Sequence, residues 1–186
     1  MTAHLATPRV PSRRIFEGQR IWHMSTDLLT AATSLLAGAE QPFAPDVIIG
    51  IARGGVPVAS ALSQLMRVPD QVITARHNLD DRIMVQATGR VTIDTAGLPR
   101  ERAGQRILLV DDICGTGATI DAVRAALDAQ LRPAAVRTVV LCRNSGSPVM
   151  PDTWVWDVAD WTVFPWETDP GQVTESLPVP AGVRHP

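Results

Sequence analysis

Short apolar runs alternate with amphipathic stretches along most of the chain. Four apolar runs have the length and composition of buried parallel strands: 47–51, 71–75, 106–110 and 135–141. Apolar residues at helical spacing predict three helices: 26–38, 56–66 and 118–130. Strands that alternate with helices in this way are typical of a doubly wound α/β fold, in which ligands bind beyond the carboxyl ends of the strands.

The pattern changes at the chain ends and in one central segment. Residues 1–14 predict a flexible arm, and 15–22 a short strand. Within 77–98, apolar residues alternate with polar ones on both sides of Thr88-Gly89, which predicts a charged β-hairpin. Residues 169–186, with four prolines and two glycines, predict an extended or disordered tail. A length of 186 residues is that of one domain with a small appendage.

Composition and charge narrow the possible environments and partners. The chain has 17 arginines, no lysine and a net charge of -2, so a nucleic-acid partner is not expected. No apolar run is long enough for a membrane span or a signal peptide. Cys114 and Cys142 fall in or next to predicted buried strands, where reduced thiols are expected, and this favours a cytoplasmic protein.

The segment 110–119, Val-Asp-Asp-Ile-Cys-Gly-Thr-Gly-Ala-Thr, lies where a predicted strand gives way to a predicted helix. Backbone N–H groups of a glycine-containing turn at a helix start favour an anion, most often a phosphate. Asp111 and Asp112 precede that turn and suit the hydroxyls of a sugar or a hydrated divalent cation. Phosphate, diol and carboxylates together indicate a ribose phosphate.

A second glycine loop follows the strand predicted at 47–51. Arg53, Gly54 and Gly55 lead into a helix with Pro57 in its first turn. The guanidinium of Arg53 can contact two phosphate oxygens at once. The chain therefore offers two separate anion sites at one edge of the predicted sheet.

These two loops resemble the motifs of type I phosphoribosyltransferases. The resemblance implies a central parallel sheet flanked by helices, with a small hood subdomain to which 148–168 contribute. It also implies transfer of ribose 5-phosphate from phosphoribosyl pyrophosphate to a nucleobase. Asp111 and Asp112 would hold the ribose hydroxyls and Mg²⁺, and Arg53 would neutralise the leaving group. Eight residues would complete the donor site. Gly54 and Gly55 would bind the pyrophosphate, and the segment of Cys114, Gly115, Thr116, Gly117, Ala118 and Thr119 would bind the 5-phosphate.

The C-terminal aromatic cluster extends the resemblance to purine enzymes. Five of the eight aromatic residues lie within 154–166. Burial in a small core accounts for some of them, but the segment 161–167 resembles the Trp-x-x-x-Pro-Trp-acidic segment of xanthine-guanine and related microbial purine phosphoribosyltransferases. There Trp161 would stack on the base and Trp166 would belong to the core. The substrate-binding set implied by the resemblance also includes Arg76, Val163 and Arg143, of which Arg143 replaces a lysine that contacts the exocyclic oxygen of a purine. A strand-end arginine facing solvent is the alternative.

The position of Gly115 departs from the pattern of those purine enzymes. They usually carry an aspartate there that exchanges a proton with the purine ring nitrogen, and glycine cannot do so. Asp157, Asp160 or Glu167 could substitute, so the sequence favours a purine or purine-like base without fixing it.

The remaining expectations concern the hairpin, the oligomeric state and an alternative function. The hairpin at 77–98 is either the lid that family members close over the substrate or an ordinary surface hairpin. The family also implies a homo-oligomer, a dimer or tetramer. The alternative function is a regulator that senses phosphoribosyl pyrophosphate and binds RNA or DNA; an inactive subunit has little support because both loops are intact.

Overall fold

A computed structural model describes residues 14–18, 20–76, 91–94, 104–168 and 174–186. In these ranges a six-stranded sheet has the order β4 (Thr92–Asp94), β3 (Asp70–Arg76), β2 (Val47–Ala52), β5 (Arg106–Cys114), β6 (Ala135–Asn144) and β7 (Thr153–Val158). A small sheet has the order β8 (Trp161–Val163), β1 (Ile21–His23) and β9 (Thr174–Ser176). The α-helices are α1 (Thr26–Glu40), α2 (Gly55–Met66) and α3 (Ala118–Leu131). Every strand pair is parallel except β3 with β4, which confirms the predicted α/β class.

The central strands are buried on both faces, as their continuous apolar runs predict. In β5, Leu108 and Val110 face a core shared with α1 and α2, whereas Ile107 and Leu109 face a core shared with α3. Side chains alternate between the two faces because a strand has a period of two. This burial fixes the positions of β2 and β5, whose carboxyl ends carry the two glycine loops.

Helix α1 extends beyond the end predicted at Gly38. Its first turn is capped by Ser25, whose side-chain oxygen accepts a hydrogen bond from the N–H of Leu28. Its last residue, Glu40, is fully buried and pairs with Arg137 on β6 at 2.8 Å. This ion pair with a residue far away in sequence stabilises the last turn of the helix, which continues beyond Gly38.

The small sheet is the predicted hood, but its boundaries differ from those expected. Residues 153–158 form the edge strand of the main sheet, because Val155, Trp156 and Val158 pack into the core beneath α1. The predicted hood segment 148–168 therefore contributes only β8 to the small sheet. The strand expected at 15–22 is limited to Ile21–His23, which lies between β8 and β9.

The tail is extended, as predicted, but its described part is packed against the molecule. Leu177 is buried, and the indole N–H of Trp156 donates to the carbonyl oxygen of Pro178 at 3.0 Å. Trp154 and Arg184 exchange two backbone hydrogen bonds. Apolar contacts and these hydrogen bonds hold a segment whose prolines alone suggested disorder.

The predicted hairpin can be followed only in part. Thr92–Asp94 pairs with the end of β3 in antiparallel register, at the edge of the main sheet. Residues 77–90 and 95–98 lie outside the described residues, as do 1–13 of the predicted arm. Both alternatives for 77–98, a lid over the substrate and an ordinary surface hairpin, stay predictions.

Candidate functional site

The two glycine loops lie side by side because β2 and β5 are neighbouring strands. Together they line a cavity of about 240 Å³, called here the loop cavity. One loop contributes Arg53 and Gly54, and the other contributes residues 111–117 and Thr119. The structure thus brings most of the predicted donor site together at the carboxyl edge of the sheet.

Close packing of the loops explains the glycines at 54 and 55. A Cβ atom on Gly54 would overlap the carboxylate of Asp112, and one on Gly55 would overlap the carbonyl oxygen of Val110. The Ala52–Arg53 peptide bond in this loop is cis. Neither loop could approach the other with a larger residue at these two positions.

The second loop ends at the N-terminus of α3. Gly117 caps the helix with φ +81°, a conformation that favours glycine, and the side chain of Val149 occupies the space where a Cβ would lie. Thr116 is buried, and its hydroxyl accepts a hydrogen bond from the N–H of Ala118 at 3.4 Å. Unpaired N–H groups of the first helical turn and the helix dipole favour an anion at this end of the loop cavity.

The carboxylates of Asp111 and Asp112 lie in a setting that disfavours their charge. Burial, and next the neighbouring Asp112 carboxylate, raise the pKa of Asp111 well above its ordinary value. Burial, and next the Glu167 carboxylate, raise the pKa of Asp112 to about 6. Each aspartate also accepts a backbone hydrogen bond, from the N–H of Asp112 and of Ile113 respectively, which works in the opposite direction.

Asp111 and Asp112 suit a magnesium ion that is bound partly by substrate and water better than they suit a metal bound by protein side chains alone. Among the described residues, no three His, Cys, Asp or Glu side chains gather to hold a metal. Magnesium is usually bound by one or two carboxylates plus substrate phosphates and water. A cation beside Asp111 and Asp112 would also relieve the unfavourable burial of their charges.

A larger cavity of about 920 Å³ adjoins the loop cavity and is called here the hood cavity. Both cavities are lined by Ala52, Arg53, Gly54 and Asp112. The hood side of this cavity is lined by five residues: Trp161, Val163, Trp166, Glu167 and Thr168. Trp161 and Val163 therefore line the cavity that adjoins the loop cavity, and their contact with a base stays a prediction.

The structure separates the acidic candidates for the role of the missing aspartate. Asp157 pairs with Arg143 and Arg184 at 3.0 Å each, and Asp160 is buried and accepts the N–H of Gly18. Glu167 alone among the three lines the hood cavity. Trp166 stacks on Phe164 with parallel rings 5.2 Å apart and packs against the core, as expected.

Sequence reasoning missed Arg14, which was assigned to a flexible arm. Arg14 lines the loop cavity, and its guanidinium lies 5.4 Å from the ring centroid of Trp161. Burial lowers the pKa of Arg14, while the carboxylates of Asp112 and Asp111 counteract that effect. No local pattern distinguishes Arg14 from Arg13, because Trp161 and Gly115, which Arg14 contacts, are more than a hundred positions away.

Three other predicted residues, Arg143, Gly55 and Ala118, line neither cavity. The guanidinium of Arg143 binds Asp157 and the carbonyl oxygen of Ser147 and lies over the ring of Trp154, so the structure does not bring it to the base. Gly55 packs against the backbone of Val110, and the N–H of Ala118 donates to the hydroxyl of Thr116. The Cys114 thiol is buried against Ser147 with its pKa raised to about 11, so it remains protonated. The side chain of Arg76 lies outside what the structure describes.

Known proteins resemble this chain over most of its length. The family model described as phosphoribosyl transferase domain matches residues 26–171. A xanthine-guanine phosphoribosyltransferase of Cereibacter sphaeroides is 29% identical over 155 residues, 78% of this chain and 86% of that protein. A protein of Synechococcus named bifunctional protein PyrR is 35% identical over 113 residues, 56% of this chain and 60% of that protein. The crystal structure of a purine phosphoribosyltransferase from Pyrococcus horikoshii covers 84% of this chain and 100% of its own, with 27% identity and a TM-score of 0.66.

The match to the family model extends from α1 past the hood strand β8 and so includes both glycine loops. Transfer of a phosphoribosyl group needs a site for the donor and a site for the acceptor. The two glycine loops with their carboxylates, and the adjoining hood cavity, are candidates for these two sites. The chain belongs to the phosphoribosyl transferase family, and it is a phosphoribosyltransferase.

Proposed function

We propose that this enzyme transfers ribose 5-phosphate from phosphoribosyl pyrophosphate to a purine or purine-like base in a Mg²⁺-dependent reaction that releases pyrophosphate. The observation that carries the proposal is the loop cavity, where two anion-binding loops flank one pair of carboxylates. A donor with a phosphate at one end and a pyrophosphate at the other matches this arrangement. The purine part is supported by Trp161 in the hood cavity and by the names of the Cereibacter and Pyrococcus relatives.

The donor is bound at both of its charged ends. The backbone of 115–119 and the start of α3 bind the 5-phosphate, and the loop of Arg53 and Gly54 binds the pyrophosphate. Asp111 and Asp112 accept hydrogen bonds from the ribose hydroxyls. With both ends fixed, the anomeric carbon lies beside Asp112, at the junction with the hood cavity.

Asp111 and Asp112 would hold the magnesium ion. When bound, Mg²⁺ neutralises charge on the pyrophosphate and makes it a better leaving group. Burial disfavours the charged form of both carboxylates, and a bound cation would offset this cost.

The chemical step is a displacement at the anomeric carbon. The bond from this carbon to the pyrophosphate oxygen breaks, the pyrophosphate keeps the electron pair, and a ring nitrogen of the base forms the new bond. Positive charge on the sugar in the transition state is stabilised by the carboxylates of Asp111 and Asp112, while Arg53 stabilises the departing anion. Trp161 orients the base by stacking, and the hood limits access of competing water.

Release of pyrophosphate tests the proposal directly. The protein is mixed with phosphoribosyl pyrophosphate, Mg²⁺ and each of a panel of purines and pyrimidines. We expect release with at least one purine-like base, and its loss in the double variant Asp111→Asn, Asp112→Asn. Asp128→Asn, on the exposed face of α3, is the matched control and should retain activity. Full activity in the double variant would contradict the assignment.

A regulatory role is the second candidate, supported by the relative named bifunctional protein PyrR. This chain spans 60% of that protein, and the two glycine loops would serve equally well to sense the donor. Binding of phosphoribosyl pyrophosphate without turnover of any base would favour this role. The homo-oligomer and the cytoplasmic location remain predictions; within the described residues no helix has the length and apolar character needed to cross a membrane.

A further inference from the structure

The guanidinium of Arg14 lies at the junction of the loop cavity and Trp161. It is 5.4 Å from the centroid of the Trp161 ring, on which a base would stack. It also lies against Gly115: a Cβ built at this position would be 3.0 Å from Cζ of Arg14 and closer still to Nε. The space that a side chain at 115 would take is therefore filled by Arg14.

The backbone that follows Arg14 is held by contacts with the end of β6 and with the turn between β7 and β8. The fully buried amide of Asn144 accepts the N–H of Ile15 at 2.9 Å and donates to its carbonyl oxygen at 3.0 Å. The N–H groups of Glu17 and Gly18 donate to the carbonyl oxygen of Ala159 and the carboxylate of Asp160. These hydrogen bonds fix the backbone next to Arg14 and so hold its side chain at the loop cavity.

Gly115 leaves no acid–base group at this position, and the guanidinium of Arg14 places a positive charge there. A guanidinium has only donors and remains protonated, so it cannot act as a general base. It can instead bind an oxygen or nitrogen that carries negative charge.

We propose that Arg14 determines acceptor specificity, and that the acceptor is a nitrogen heterocycle that is already anionic when it binds. This inference rests on the proposed function. A deprotonated ring nitrogen attacks the anomeric carbon, the carbon–oxygen bond to pyrophosphate breaks, and the leaving group keeps the electron pair. The product base is then neutral at that nitrogen without loss of a proton, so the reaction needs no carboxylate at 115.

A competing explanation is that Arg14 obstructs the donor site. Its charge lies near the carboxylates of Asp112, Asp111 and Glu167, and it could occupy the place of a cation in the absence of substrate. The two explanations differ in the substrate whose KM responds to a change at Arg14. An acceptor-binding residue alters the KM of the base, whereas an obstruction alters the KM of phosphoribosyl pyrophosphate.

The test uses urate, which is deprotonated at a ring nitrogen at neutral pH, as the anionic acceptor, and hypoxanthine and adenine as neutral ones. Orotate, whose charge lies on a carboxylate and not on a ring nitrogen, controls for negative charge alone. We expect wild-type protein to prefer urate. Arg14→Gln should lower kcat/KM for that acceptor about ten- to a hundredfold, the effect of losing a hydrogen bond to a charged group, with Arg14→Lys intermediate. The KM for phosphoribosyl pyrophosphate should change little. Arg20→Ala is the matched control, because Arg20 lies over Trp22 at a similar distance of 5.2 Å but lines neither cavity.

A second variant pair makes the inference independent of a single substitution. Arg14→Ala with Gly115→Asp restores a carboxylate and should shift preference toward hypoxanthine. Calorimetric binding of urate and orotate to wild type and Arg14→Gln, with thermal unfolding as a check of folding, gives a readout that does not need turnover. A preference for neutral bases, or unchanged acceptor constants in Arg14→Gln, would overturn the inference; a lower KM for the donor would support obstruction. Failure of every base to release pyrophosphate would count against the proposed function, whereas anion binding weakened by Arg14→Gln would still support the role of Arg14.

Discussion

Asp112 lies in a setting that stabilises its neutral form, so its charge at neutral pH opposes folding. Its pKa is raised from 3.8 to about 6, first by burial and next by the Glu167 carboxylate. The folded protein therefore binds more protons than the unfolded chain between those values. The free energy of unfolding should fall as pH rises through this window, and Asp111 contributes in the same direction.

Removal of this charge gives a prediction at the scale of the residue. Asp112→Asn should raise the free energy of unfolding by about 1 to 3 kcal/mol at pH 7 while it abolishes transfer. Thermal or urea unfolding from pH 4 to 8, in chelator and without donor, measures the effect. The gain should shrink toward pH 4, where wild-type Asp112 is itself protonated. An equal difference at every pH would show that the charge is not its cause.

The residues of the site differed in how far the sequence revealed them. Asp111, Asp112 and Gly117 were found because they belong to one contiguous motif at a strand-to-helix crossing. Arg14 was missed and Arg143 was given the wrong surroundings, because the position of each guanidinium depends on partners distant in sequence or on another strand. A local sequence motif predicts the backbone conformation of a loop. It does not predict which side chains from distant parts of the sequence contact that loop.

At the scale of the element, the buried strands and their helices were predicted to within a few residues. Continuous apolar runs identify strands that are covered on both faces, and this accounts for β2, β5 and β6. The sequence did not indicate that β7 joins the main sheet or that the extended tail packs against the molecule. The aromatic residues of 154–166 divide between the main sheet and the hood, and nothing in their spacing indicates which sheet each strand joins.

The packed tail gives a prediction at this scale. Leu177, which follows β9, is 4% exposed and belongs to the core beneath α1, whereas Val179 is 81% exposed. Leu177→Ala should lower the free energy of unfolding by about 2 to 5 kcal/mol, because it removes buried apolar contacts and leaves a cavity. Val179→Ala should change it by less than about 0.5 kcal/mol. Urea unfolding of both variants makes the comparison, and equal stabilities would mean that the tail does not hold the fold together.

At the scale of the whole molecule, the hood joins the two ends of the chain. β1 lies between β8 and β9, so a strand from the first tenth or so of the sequence is paired on both sides by strands from the last seventh. The same arrangement brings Arg14 of the loop cavity next to Trp161 of the hood cavity. Long-range pairing of this kind is invisible to local periodicity, which explains why the central sheet was easier to predict than the acceptor side of the site.

The net charge gives no support to the regulatory role as a nucleic-acid binder. The net charge is -2, and five arginines of the described residues are paired with carboxylates: Arg20 with Glu175, Arg106 with Asp46, Arg137 with Glu40, and Arg143 and Arg184 with Asp157. Binding to a phosphate backbone would require cations that are not already neutralised within the protein.

We therefore expect no binding to single-stranded RNA tighter than about 10 μM in about 0.15 M salt, in the range of non-specific association or weaker. Filter binding of a labelled RNA, repeated over a range of salt concentrations, measures this affinity, and calorimetric binding of phosphoribosyl pyrophosphate to the same sample verifies that the protein is intact. Tight binding with a steep salt dependence would reveal a basic surface outside these five ion pairs, and it would favour the regulator over an enzyme that acts on small molecules alone.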